Sequence, residues 1–234
     1  MTKQVKKREN SGLVNKVVSS LSRLQDGGLR LPENYSAENA LRFAEFQLLK
    51  AVTPSKAPVL QHCTPDSVAN ALLEMVTKGL NPSKNQCYFV PYGNRLELVT
   101  SYFGEVAIAK RAGLKNIKAV TVHKEDDFSF EVGNDGKKRI LEHKQTLSSL
   151  DTDLVGAYVV FEYPDGTTDT DIMTMNEIRK SWQQGATKGN SPAHRNFAGE
   201  MAKRTVINRG IKLFINSSND LDLYINDPES QSAT

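Results

Sequence analysis

Eight basic residues fall between Thr174 and Lys212: Arg179, Lys180, Lys188, Arg195, Lys203, Arg204, Arg209 and Lys212. Only two acids, Glu177 and Glu200, share the stretch, so its local balance is +6 while the whole chain carries +3. Cations at this density suit a polyanion, with phosphate as the group to be neutralised. Residues that could break bonds are scattered by comparison. Asp126-Asp127, Asp151-Thr-Asp153 and Asp169-Thr-Asp171 could be imagined as nuclease metal ligands. Each falls in or beside a turn or strand edge, where aspartate is favoured for its own side-chain bonding, and all are expected to be solvated. Glu142-His143-Lys144 supplies only the end of a nuclease motif, and His62, His123 and His194 have no partner at ligand spacing. No Walker-type phosphate loop, Gly-x-Gly-x-x-Gly, His-Glu-x-x-His or Gly-x-Ser-x-Gly occurs. A binding protein without catalysis, cofactor or metal is expected.

Two helices must present the basic residues. Thr174 and Glu177 form a capping box that opens the first, expected to run to about Gln184. A Gly-, Ser- and Asn-rich loop from Gly185 to Ser191 follows. Pro192 then starts a long helix with Phe197, Met201, Ile207, Ile211, Phe214 and Ile215 on one apolar side. Arg204 falls in the middle of that side, so its guanidinium needs Glu200, a phosphate or a route to water. Lys110 and Arg111, with Lys115 and Lys118 just beyond, form a second basic group, although cations also suit a helix C-terminus. Of the aromatics near these stretches, Tyr88, Tyr92, Tyr102 and Phe103 read as core, whereas Trp182, beside Lys180, is the candidate for stacking on bases.

All 30 Lys and Arg residues lie at or before Lys212, with 23 of the 27 acids, so the body carries +7 and a tail with Asp220, Asp222, Asp227 and Glu229 carries −4. No apolar run reaches membrane-spanning length, and the charged N-terminus lacks a signal-peptide segment, which points to the cytoplasm. Cys63 and Cys87 read as reduced, buried thiols. The N-terminus carries Lys3, Lys6, Lys7 and Arg8, then an apolar stripe of Leu13, Val14, Val17, Val18, Leu21 and Leu24 closed by Gly27-Gly28. This arm can dock on its own body or on a neighbouring subunit, since both use the same stripe. Helices are expected from Ser36 to before Pro54, with Leu41, Ala44, Leu48 and Val52 inward, and from Thr64 to Gly79, with Val68, Leu72, Met75 and Val76 inward. Gly93-Asn94 joins two strands as a hairpin. A helix over Tyr102–Ala112 follows, then strands over Asn116–Lys124, Phe128–Val132, Arg139–Lys144, Leu154–Tyr163 and Thr168–Met173. The class is α+β: an antiparallel sheet with a hairpin and an inserted helix, flanked by N-terminal helices and a long C-terminal helix that frames a basic groove. The expected division is a basic arm and oligomerisation helix over 1–34, a DNA-binding core over 35–215 and an acidic tail over 216–234.

Four blocks occur together: Gly79-Leu-Asn-Pro with Cys87-Tyr-Phe-Val-Pro-Tyr-Gly-Asn, then Tyr102-Phe-Gly-Glu-Val-Ala-Ile-Ala-Lys-Arg-Ala-Gly, then Glu200-Met-Ala-Lys-Arg-Thr-Val-Ile-Asn-Arg. In this order over roughly Cys63 to Ile215 they resemble the RecT family of phage single-strand annealing recombinases, in particular those of Gram-positive prophages. The resemblance implies ATP-independent pairing of complementary strands in homologous recombination and assembly into rings or helical filaments on DNA. It also implies a phage exonuclease and the host single-strand-binding protein as partners. Lys110-Arg111 and Lys203-Arg204 stand in matching blocks and carry over as DNA-contacting candidates, beside Lys115, Arg179, Lys180, Trp182, Lys188, Arg195 and Arg209. Asn208-Arg209-Gly210 departs from the family block, so looser final helical turns are expected. A general single-strand-binding protein and a metal-dependent nuclease remain the alternatives.

Overall fold

The computed structural model describes residues 15–185 and 187–217. The basic residues Lys3, Lys6, Lys7 and Arg8, the apolar Leu13 and Val14, and the acidic tail lie outside them. The described chain is α+β, and it divides into two compact units with the boundary between Ile108 and Ala109.

The first unit is built on a helix whose ends are written in its sequence. Thr64 accepts a hydrogen bond from the Ser67 amide, Pro65 takes the first helical position, and Gly79 at φ +59° closes the segment. Helix α1 spans residues 15–26, α2 Ala37–Lys50, α3 Val59–His62 and α4 Pro65–Thr77. On α4, Val68, Leu72, Met75 and Val76 are buried as the helical period requires, and Leu41, Ala44 and Leu48 of α2 join them. Val52 does not. It follows the end of α2 and is exposed, forming an isolated bridge with Pro58. Strands β1 (Cys87–Tyr92) and β2 (Arg95–Thr100) pair antiparallel around Gly93-Asn94. The Leu96 amide donates to Ser67 Oγ at 3.0 Å and the Thr64 amide to the Asn94 carbonyl at 2.9 Å, which seats the hairpin on α4. Cys87 faces this core, and burial pushes its thiol up to about 12. Both cysteines are free.

Helix α5 (Tyr102–Arg111) leads into the second unit. There β3 (Asn116–His123), β6 (Leu154–Glu162) and β7 (Thr168–Thr174) form one antiparallel sheet in the order β3-β6-β7, while β4 (Asp127–Val132) and β5 (Lys138–Lys144) form a separate hairpin. The single sheet expected from sequence is therefore three: this pair, the three-stranded sheet and β1-β2. The register places Ala157, Val159 and Phe161 on one face of β6 and Tyr158 on the other. The second face receives the β4-β5 hairpin, with Phe128 stacked on Tyr158 at 5.6 Å between ring centroids.

The first face receives the C-terminal helix, which differs from its expected form. It is interrupted at Phe197 (φ −135°, ψ 46°), giving α7 (Pro192–Asn196) and α8 (Ala198–Ser217). Ala202, Val206 and Ile211 are the buried positions, while Phe197, expected inward, is 63% exposed and Arg204 is exposed instead of apolar-facing. Gly210 does not loosen the last turns, because α8 continues to Ser217 and a side chain at this glycine would collide with the Phe161 ring. The missing side chain is what lets α8 lie close to β6.

In the first unit, Val17 and Leu21 of α1 are buried in the same core as α2 and α4, while Val18 and Leu24 stay exposed. Deleting residues 1–28 removes both buried side chains and is expected to lower unfolding stability by about 3–5 kcal/mol. Thermal melts of the full and shortened chains measure this, and an unchanged melting temperature would assign the whole stripe to contacts between subunits.

Candidate nucleic-acid interface

The basic stretch is carried by α6 (Met175–Trp182), α7, α8 and the turn between α6 and α7. The capping box is complete: the Thr174 amide donates to Glu177 Oε2 at 2.9 Å and the Glu177 amide to Thr174 Oγ1 at 3.3 Å. Met175 and Ile178 bury the inner side of α6, which leaves Arg179 and Lys180 outward and exposed. Two contacts then join α6 to α8. Trp182 donates its indole N–H to Thr205 Oγ1 at 2.8 Å, and Arg209 reaches Glu177 Oε1 at 3.3 Å.

Arg209 does more than this. Its Nε and Nη2 donate to the two carboxylate oxygens of Asp171, each at 2.6 Å, and Nη2 also donates to the Ile172 carbonyl at 3.0 Å. Lys138 of β5 donates to the same carboxylate at 3.2 Å and the same carbonyl at 3.3 Å. Burial pushes the Asp171 carboxyl up, but the Arg209 fork and Lys138 together hold it below its usual value. Arg209, a DNA-contacting candidate from sequence, thus fastens α8 to β7. Asp171, expected to be solvated, is half-buried at the centre of this cluster.

The other candidates divide by what holds them. Lys203 is half-buried and ion-paired with Glu200, so Glu200 serves Lys203 where Arg204 was the expected partner. Arg204 projects from the exposed side of α8. Lys115 pairs with Glu162 at 2.6 Å, beside an exposed Lys110 and a half-buried Arg111 at the end of α5. Arg179, Lys180 and Lys188 are exposed and form no ion pair among the described residues. Arg195 is exposed and donates to the Asn190 carbonyl at 2.8 Å. Trp182 is half-buried. Two tyrosines read as core are outside it: Tyr88 and Tyr92 share the outward face of β1 and are exposed.

A groove of about 570 Å³ runs beside α8, lined by Phe161, Tyr163, Lys137, Lys138, Arg209 and Leu213, among others. Its cations are matched by acids, since Lys137 pairs with Asp169 at 2.7 Å while Lys138 and Arg209 share Asp171. Arg179, Lys180 and Lys188, which form no ion pair among the described residues, stand elsewhere, on α6 and the turn after it.

Asp126 also departs from expectation. Its side chain is fully enclosed and accepts from Ser149 Oγ, the His123 amide at 2.7 Å, Gln145 Nε2 at 2.9 Å and His143 Nε2 at 3.1 Å. Tyr158 lies 3.0 Å from the other nitrogen of His143. Burial pushes the Asp126 carboxyl up, yet these bonds pull harder and hold it well below the usual carboxylate range. The network ties the β4-β5 hairpin to the sheet. Among the described residues no three His, Cys, Asp or Glu side chains gather as metal ligands would.

The RecT family model matches residues 44–233, most of the chain and parts of both compact units. The chain belongs to the RecT family. RecT proteins are single-strand annealing proteins of DNA recombination that bind single-stranded DNA and form oligomers. No curated protein matches this RecT chain. No described helix of it is long and apolar enough to cross a membrane.

Two predictions concern the framework. Arg209→Ala is expected to cost about 2 kcal/mol of stability, less than the loss of a fully buried pair because Arg209 is partly exposed, and Arg209→Lys should not restore it since the fork is lost. Chemical denaturation reads this, and a melting midpoint that does not move would return Arg209 to the DNA-contacting set. Asp126, with its folded value depressed, contributes stability above its unfolded value of about 3.9 that is lost as pH falls through and below it. The wild-type melting temperature is therefore expected to drop on acidification below about pH 4, and Asp126→Asn should melt lower at neutral pH with a flatter acid limb.

Proposed function

We propose that this RecT protein pairs complementary DNA single strands without nucleotide hydrolysis, cofactor or metal, and acts as an oligomer on the DNA. Each subunit grips phosphates of one strand through cations of the segment from Thr174 to Lys212 and leaves the base edges free to test a second strand. Annealing needs this arrangement, because bases held against protein could not pair. The observation that carries the reading is the sorting of charges on that segment. Arg209 is taken up by the half-buried Asp171 and Lys203 is paired with Glu200 on the same helix, whereas Arg179, Lys180 and Lys188 stand exposed on a framework fixed by Arg209 and Trp182. Lys110, Arg111, Arg195 and Arg204 extend the phosphate-contacting set. The site of action is the cytoplasm, with an exonuclease and a single-strand-binding protein supplying and handing over the strands.

The second reading is a general single-strand-binding protein, and the exposed Tyr88 and Tyr92 on β1 favour it as a possible stacking face. A strand-pairing assay with gel analysis separates the two and also detects cleavage. If phosphate contacts dominate, single-strand affinity is expected to fall log-linearly with salt at about 0.7 per neutralised phosphate. Lys180→Ala and Lys188→Ala should each lower that slope while leaving the melting temperature in place. A flat salt response, or tight binding without pairing, would overturn the annealing reading.

A further inference from the structure

Trp182 is the only tryptophan in the chain and was the candidate for stacking on bases. Its surroundings assign it other work. The indole N–H is committed to Thr205 Oγ1 at 2.8 Å, and that hydroxyl is itself oriented by donating to the Met201 carbonyl at 2.8 Å. His194 of α7 meets the ring edge-on, 4.7 Å between centroids, with its Nδ1 at 2.7 Å from Ser191 Oγ. Gly189, at φ +77°, comes so close that a side chain there would sit 3.2 Å from Trp182 Cβ. The turn on this ring is shaped further by the Asn190 amide donating to the Thr187 carbonyl at 2.8 Å and by Arg195 donating to the Asn190 carbonyl. Lys188 occupies this turn at φ +47°, a conformation a lysine adopts only where its surroundings impose it, and is exposed.

We propose that Trp182 is a positioning residue that clamps the turn of residues 187–191 between α6 and α7 and thereby aims Lys188 at a phosphate of the bound strand. The inference rests on the phosphate-gripping reading above. It differs from stacking in what the ring touches: protein on the turn side and Thr205 on the helix side, with the DNA met by the lysine that the ring holds in place. A clamp and a stacking platform respond differently to salt. Loss of a positioned lysine removes a phosphate contact and lowers the salt slope, whereas loss of a stacked ring lowers affinity at every salt concentration alike.

The test measures binding of a labelled oligothymidine across a salt series for the full chain and for Trp182→Ala, Trp182→Phe, Thr205→Val, Lys188→Ala and the Trp182→Ala/Lys188→Ala pair. Lys188→Ala is expected to lose about tenfold in affinity at low salt and about 0.7 in slope. Trp182→Ala should reproduce both losses, the double variant should lose no more than Trp182→Ala alone, and Trp182→Phe, which keeps an aromatic ring but not the N–H, should lose slope as well, where a stacking platform would keep it. Thr205→Val leaves the ring in place but frees its N–H, and should lose slope as Trp182→Ala does. It decides the matter if Trp182→Ala melts below the assay temperature. Additive losses with an unchanged slope in Trp182→Ala would establish stacking and overturn the clamp. A silent Lys188→Ala beside a salt-dependent wild type would overturn the clamp alone, whereas a wild type without salt dependence would overturn the phosphate reading beneath it.

Discussion

The guanidinium of Arg209 ties α8 to two consecutive elements, β7 and α6, whose contacting residues lie 38 and 32 positions earlier in the chain. Its fork spans the carboxylate of Asp171 on β7, its third donor meets Glu177 in the capping box of α6, and its own backbone belongs to α8. A lysine could satisfy one of these contacts but not hold two planar groups in register, which is why a fork stands here. The fork works only because α8 lies close to the sheet, and that closeness is set by Gly210 against Phe161, the next residue along the helix. Packing and charge thus fix the same turn of α8. With that turn fixed, the outward side of α6 and the turn after it acquire a defined orientation on this unit.

The same cluster changes what the charge count means. A formal balance of +6 over the basic stretch suggests eight equivalent phosphate contacts, yet Arg209 is paired with the half-buried Asp171 and Lys203 with Glu200 on the surface of α8. An ion pair within the chain and a phosphate contact compete for the same cation, and the Arg209–Asp171 pair is already oriented and partly desolvated. The aqueous lysines and arginines are therefore the ones able to exchange counterions for a strand. The groove beside α8 illustrates the point from the other direction. It has cations and aromatic walls, but Asp169 and Asp171 meet those cations, so its charge is directed into the fold.

Local signals in the sequence proved legible wherever a few neighbouring residues decide the outcome. The capping box at Thr174, the Thr64-Pro65 start of α4, the Gly93-Asn94 hairpin and the strand segments fall where composition and period place them. The RecT blocks were legible for the same reason, being short and contiguous. What was not legible depends on partners distant in the chain. Asp126 is enclosed by His143, Gln145 and Ser149, 17 to 23 residues further along, and only its bond from the His123 amide is local. The apolar stripe of α8 was displaced because periodicity weighs large side chains, while the contact with β6 uses Ala202 and Gly210. Phe197 and Leu213 carry the hydrophobic signal and remain exposed. The expected stripe meets the core at Ile211, while Phe197 falls at the break between α7 and α8 and Arg204 lies at the surface.

Arg209 and the exposed lysines serve different ends along this segment, and the difference bears on the proposed annealing. Arg209 and Arg195 make directed bonds to carboxylate and carbonyl oxygens, where the planar fork fixes geometry. Lys180 and Lys188 present compact charges on flexible stems without a protein partner among the described residues. A point charge tolerates small displacements of the phosphate it neutralises, so a strand held by such contacts can shift in register without breaking a directed bond. Strand pairing requires that freedom, since two strands must slide and re-test their base edges before a matched register is reached. Under the proposed annealing function, a framework fixed by the Arg209 fork and bearing exposed point charges at Lys180 and Lys188 reconciles retention of the strand with mobility of the bases.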